Sequence, residues 1–143
     1  MTVCIDTNVL LGMFTASHSH RPILEAWLQR AFIWAVSTDI LLEYEEIMLR
    51  EGGAGKGTKM LQIMQMAASA HGNLRLVSPT YRFRAITEDP DDDKFADCAI
   101  TAEADWLITE DRHFNSLIGS GYKPQPITPE EFIRLHLSSK VTP

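Results

Sequence analysis

The chain opens Met1-Thr2-Val3-Cys4-Ile5-Asp6, a short β-branched strand that runs directly into an acid. The arrangement recurs late in the chain, where the apolar run Trp106-Leu107-Ile108 leads through Thr109 to Glu110 and Asp111. Segments with helical spacing lie between. Strands separated by helical stretches argue for βαβ units and a parallel sheet. In an open parallel sheet the carboxyl ends of the strands line one crevice, and ligands bind there. Two strand-end acids therefore point to one acidic pocket. Carboxylates brought together repel unless a cation or a proton joins them, so the expected site is one for a divalent metal.

The remaining periodicity fills in the architecture. Strands are expected at residues 2–5, 33–37, 74–77, 105–109 and 125–128. Helices are expected at 20–31, 38–51, 58–71, 94–104, 112–118 and 129–138. Right-handed crossovers between parallel strands place helices on both faces. The fold class is therefore α/β: a three-layer α/β/α domain with a central parallel sheet of four to five strands. Residues 1–138 form one domain, and residues 139–143 are expected as a flexible tail. The stretch Gly52-Gly53-Ala54-Gly55-Lys56-Gly57 reads as a flexible join between two helices. It is not a phosphate-binding P-loop, because Gly57 follows Lys56 where Ser or Thr is needed and no strand precedes it.

Charge and composition exclude several classes. A net charge of −6 argues against a protein coated with basic residues for nonspecific nucleic-acid binding. It leaves room for a nuclease that meets phosphate through a metal. No apolar run is long enough for a membrane span, and Asp6 interrupts the N-terminus before a signal sequence forms. The only two cysteines, Cys4 and Cys98, fit no zinc spacing and read as core residues of a protein in a reducing cytoplasm.

Two further acidic segments complete the pattern. On the helix after Ser37, residues Ile40, Leu41, Tyr44, Ile47 and Met48 form an apolar face. Glu46 lies opposite that face, while Glu43 and Glu45 lie at its two borders, and periodicity does not choose between them. The second segment is Asp89-Pro90-Asp91-Asp92-Asp93-Lys94-Phe95-Ala96-Asp97. Asp91, Asp92 or Asp93 serves as a helix cap in the simplest reading. Asp97 sits a turn into an apolar helix, on one face with Asp93 and Thr101. A buried unpaired carboxylate is costly, so Asp97 is expected to have a cation or a strong partner.

These pieces together resemble the PIN domain, and most closely its VapC-like branch of toxin components from toxin–antitoxin pairs. The resemblance is carried by Asp6-Thr7-Asn8-Val9-Leu10 and by Ser37 with Ile40, Leu41, Glu43 and Tyr44. It continues through Asp91-Asp92-Asp93-Lys94-Phe95 with Asp97 and Ala99, and ends on Ala104-Asp105 through Thr109, Asp111 and Phe114. It implies a metal site for Mg2+ or Mn2+ made by Asp6, Glu43, Asp97 and Asp111. Asp93 would be an extra acid, with Asn8, Ser37 and Thr109 as supporting polar residues.

The implied activity is RNA hydrolysis by a metal-activated water, leaving a 5′-phosphate and a 3′-hydroxyl. The implied partners are an RNA substrate, an antitoxin from an adjacent gene, and a second copy in a homodimer. Arg82, Arg84, Lys94, Arg112 and His113 lie near the acids in sequence and are candidates to hold phosphate. Trp27, Trp34 and Trp106 are expected in the core rather than as base-stacking platforms. Met60, Met64 and Met66 make one helix Met-rich, suited either to the core or to an adaptable docking groove. Alternatives are a silent PIN module that binds RNA or protein, a receiver domain, and a phosphatase of haloacid dehalogenase type. The last wants a second Asp where this chain has Asn8, and the receiver wants an acid adjacent to Asp6.

Overall fold

A computed structural model describes residues 1–52, 54–86 and 89–137. The expected tail at 139–143 lies outside the described residues. Five strands form one sheet: β1 (Thr2–Ile5), β2 (Ile33–Val36), β3 (Leu74–Leu76), β4 (Trp106–Ile108) and β5 (Gln125–Ile127). All neighbours pair in parallel, in the order β3-β2-β1-β4-β5. The chain thus winds outward from β1 in one direction, then crosses back and winds outward from β4 in the other. The switch point falls between β1 and β4, where Ile5 is level with Ile108. The strands end there together, so Asp6 and the residues after Ile108 are brought to the same edge.

The helices are α1 (Thr7–Met13), α2 (Arg21–Leu28), α3 (Thr38–Gly52), α4 (Ala54–His71), α5 (Asp93–Thr101) and α6 (Pro129–Phe132). Short 3-10 helices cover Pro90–Asp92 and Arg112–Leu117, and α6 continues as a π-turn over Ile133–Leu137. Helix α1 was not expected from periodicity. It has seven residues, and its buried Val9, Leu10 and Met13 give too short a pattern to read. The glycine stretch also differs from expectation: α3 runs through Gly52 and α4 starts at Ala54, with Gly53 outside the described residues. Gly57 is therefore helical, and a Cβ there would stand 3.4 Å from the Glu45 carbonyl oxygen. Glycine at this position lets α4 approach α3 closely.

The core is built on a line of aromatic rings. Trp27 meets Trp34 edge-on at 5.1 Å, Trp34 meets Tyr44 at 5.9 Å, and Tyr44 meets Phe95 at 6.4 Å. Phe95 then meets Phe114 at 6.4 Å. One element after another is joined this way, from α2 through β2, α3 and α5 to the helix after β4. Trp27 and Asn73 also exchange bonds: Trp27 Nε1 donates to the Asn73 carbonyl at 2.9 Å, and Asn73 Nδ2 donates to the Trp27 carbonyl at 2.7 Å. Trp27 and Trp34 are core residues as expected, and Trp106 is half-buried. Cys4 and Cys98 are free and buried. Met60 and Met64 are in the core while Met66 is exposed, so only one of the three methionines can serve a partner. Among the described residues no helix is long and apolar enough to cross a membrane.

Candidate metal centre

Asp6 ends β1 and stands at the N-cap of α1, yet its carboxylate makes no capping bond to that helix. It is turned to Thr109, whose hydroxyl donates to Asp6 Oδ2 at 2.8 Å. The same Thr109 oxygen accepts the Asp111 N–H at 2.9 Å, so one hydroxyl ties the acids after β1 and β4 together. Asp111 in turn accepts the His113 N–H at 2.9 Å and starts the following 3-10 helix. Glu43 reaches the same edge from α3. It accepts from the Thr7 hydroxyl and from Lys94 Nζ, the latter at 2.7 Å. The Tyr44 hydroxyl donates to the Ile5 carbonyl, which fixes α3 against the end of β1. Glu45 and Glu46 are exposed. The border acid that faces the site is thus Glu43.

The acids at the start of α5 face two ways. Asp92 stands at the N-cap of α5 without capping it. Its Oδ2 is buried with no hydrogen-bond partner and lies 3.7 Å from His113 Nδ1. Asp6 and Asp111 are among the charges that act on it. Asp97 is turned elsewhere. Its Oδ1 accepts the Phe83 N–H at 3.0 Å, and the charges that act on it are Asp93 and Arg82. Asp93 likewise accepts the Ile86 N–H at 3.1 Å. Helix geometry explains the split. Asp92 continues the buried face of Phe95, Ala96 and Ala99 toward the sheet, at the i+3, i+4 and i+7 spacing of one helical face. Asp93 and Asp97 lie on the flank that meets the crossover before α5.

That spacing was present in the sequence and sets Asp92 on the buried face of the helix. Of the expected supporting residues, Thr109 bridges two acids. Ser37 accepts the Ile40 N–H at 3.3 Å and caps α3. Asn8 is exposed on the first turn of α1.

The electrostatics reflect crowding of like charge. Burial pushes the Asp6 carboxyl up to about 6, with Asp111 and Glu43 adding to the rise while Thr109 and the Thr7 amide oppose it. Burial, then Asp89, Asp6 and Asp111, push Asp92 up to about 7. Both groups hold protons more tightly in the folded chain than in the unfolded one. Their stabilising contribution is complete below the ordinary carboxyl value of 3.8 and is lost as pH rises through about 6 and about 7. A cation binds the deprotonated carboxylates and competes with those protons. The rise in Tm on adding Mn2+ is therefore expected to be larger at about pH 8 than at about pH 5. Thermal melts at both values check this, and an equal rise would contradict it.

The donor set suits a hard cation. Asp6, Glu43, Asp92 and Asp111 offer only oxygen, the ligand that Mg2+ and Mn2+ prefer. Burial and like charge already disfavour the ionised forms of Asp6 and Asp92, and the Asp92 Oδ2 lacks a partner. Among the described residues the tightest grouping at this edge is Asp89, Asp92 and His113, with ligand atoms within 4.8 Å of one another. A second group, His20 with Glu110 and Glu130, is equally compact. There His20 Nε2 lies 3.4 Å from Glu130 and 3.7 Å from Glu110.

Fold and site together define a parallel α/β domain with acidic side chains gathered at its topological switch point. The PIN domain family matches residues 2–113, and the chain belongs to that family. Among solved structures it is similar to a chain from a crystal structure of VapBC2 from Rickettsia felis, bound to a DNA fragment from their promoter. The TM-score is 0.59 at 16% identity, over 88% of this chain and 98% of that one. At that identity the likeness is one of fold. Comparison with the curated proteins gives no match.

Proposed function

We propose that the protein is a metal-dependent endoribonuclease and the toxin half of a toxin–antitoxin pair. The observation that carries this reading is the gathering of Asp6, Glu43, Asp92 and Asp111 at the switch point, with Asp6 and Asp92 pushed toward protonation. PIN domains are generally nucleases, and family membership supports phosphodiester hydrolysis over the small-molecule alternatives. When bound, Mg2+ or Mn2+ supplies charge neutralisation for the attacked phosphate and a lowered pKa for the attacking water. The four carboxylates hold that charge at the strand ends. Thr109 sets the separation of Asp6 and Asp111. Lys94 orients Glu43 and, being cationic, offsets part of the repulsion when no metal is bound. Water attack in line with the leaving oxygen gives a 5′-phosphate and a 3′-hydroxyl.

The VapBC2 likeness supports an antitoxin as partner. Co-purification with the product of an adjacent gene tests it, as does growth arrest on expressing the chain alone, relieved by Asp6→Asn. For the enzyme itself, Glu43→Gln is expected to lower RNA cleavage at least about a hundredfold, the upper end of what even indirect metal-site changes cost. Glu46→Gln should cleave like the parent. Loss in Glu46→Gln with activity kept in Glu43→Gln would contradict the assignment.

A further inference from the structure

Asp93 and Asp97 are carboxylates that the proposed metal cluster does not use, and they share one task. A turn apart on α5, each accepts a main-chain N–H from the crossover between β3 and α5, that of Ile86 and that of Phe83. From the other side, the Ser116 hydroxyl donates to the Ala85 carbonyl at 2.7 Å. Three bonds therefore fix four consecutive residues. Within them Arg84 has φ of 52°, a left-handed conformation that a non-glycine side chain disfavours and the surrounding bonds hold.

The segment so held is the alternating aromatic and basic run Tyr81-Arg82-Phe83-Arg84. Tyr81 meets Phe83 at 4.8 Å and Phe83 meets Tyr122 at 5.4 Å, both edge-on. Tyr81 is 66% exposed, and both arginines face solvent. The run forms one wall of an open groove of about 690 Å³. Asp39, Asp91, Asp93, Lys94 and Asp97 also line it. Lys94, which lines the groove, ends on Glu43 at 2.7 Å, so the groove borders the acid cluster.

We infer that Tyr81, Arg82 and Arg84 are the track along which single-stranded RNA enters the site, with Asp93 and Asp97 as the positioning residues that hold it. The inference rests on the ribonuclease reading above. Exposed rings give any base a stacking face, and arginines beside them pair with phosphate. One basic wall serves one backbone. The acids that also line the groove repel a second, which selects against a duplex.

The test is fluorescence anisotropy of a labelled single-stranded oligoribonucleotide, with calcium in place of magnesium and the probe checked for integrity on a gel. Tyr81→Ala is expected to weaken binding about tenfold with little change in salt dependence. Arg82→Ala and Arg84→Ala should weaken it and each reduce the slope of log affinity against log salt by about 0.7. Asp97→Ala should weaken binding and Asp97→Asn, which keeps an oxygen for the Phe83 N–H, should restore it. All these variants should keep the parent's Mn2+-induced rise in Tm, which also reports that they are folded. Parental affinity and salt slope in Tyr81→Ala, Arg82→Ala and Arg84→Ala, beside normal cleavage by the parent, would overturn the track alone. Duplex RNA bound as tightly as single strands would overturn it too. A parent that neither binds nor cleaves RNA would overturn the ribonuclease reading with it.

Discussion

Asp92→Asn is expected to abolish RNA cleavage, by at least about a hundredfold, and to remove most of the Mn2+-induced rise in Tm. Asp97→Asn is expected to keep that rise. The two residues are five apart, one at the N-cap of α5 and one within it, and their carboxylates face different partners. The Asp92 Oδ2 is buried without a hydrogen bond, and Asp6 and Asp111 act on the group. Asp97 already has the Phe83 N–H at 3.0 Å and Arg82 nearby. Asparagine at position 92 removes a negative charge from the cluster, relieving repulsion without metal while weakening the hold on it. The metal-free Asp92→Asn protein should therefore melt at or above the parent's temperature above about pH 7, where the buried carboxylate is ionised. Melts with and without Mn2+ on both variants decide the matter. A shift lost in Asp97→Asn and kept in Asp92→Asn would return Asp97 to the metal and remove Asp92.

The largest expected loss of stability is Trp34→Ala, about 3–5 kcal/mol. Trp34 is fully buried on β2, packed between Trp27 and Tyr44. Its removal opens a cavity in the middle of the aromatic line. The same line positions Tyr44, whose hydroxyl holds the end of β1 beside Asp6. Domains of this kind are stable by only about 5–15 kcal/mol, so the change takes a large share and lowers Tm by roughly 10–20 °C. Trp34→Phe keeps much of the ring and should lose far less. Denaturant melts of the two variants check this, and a Trp34→Ala loss under about 1 kcal/mol would contradict the packing described.

Much of the fold was legible because its signals are periodic. All five strands lie within the segments expected from the sequence, and their parallel pairing follows from the helices between them. Helix α1 was not legible, since seven residues hold under two turns of pattern. The helical start of α4 was hidden by its glycines, which read as a loop until the approach of Gly57 to α3 gives them a reason.

At the site, strand ends gave Asp6 and Asp111, which Thr109 links. Glu43 against Glu45 was undecided by periodicity because both border the apolar face, and only the tertiary contacts with Thr7 and Lys94 separate them. In the acidic run, attention to the mid-helix acid drew the reading to Asp97. The rule that a buried carboxylate needs a partner held, and the Phe83 N–H is such a partner. Asp92 looked like a cap because it occupies a cap position, and a sequence does not show that the cap bond is missing. The groove wall at Tyr81–Arg84 belongs to no regular element, so no periodicity could announce it.

Incubation of the purified protein with a labelled single-stranded RNA, with Mn2+ and with a chelator, beside Asp6→Asn, tests the central claim most directly. Mn2+-dependent fragments bearing 5′-phosphates, absent with the chelator and in Asp6→Asn, are the expected result. Cleavage that persists in the chelator or in Asp6→Asn, or no cleavage by a protein whose Tm does not respond to Mn2+, would contradict a metal-dependent ribonuclease built on these carboxylates.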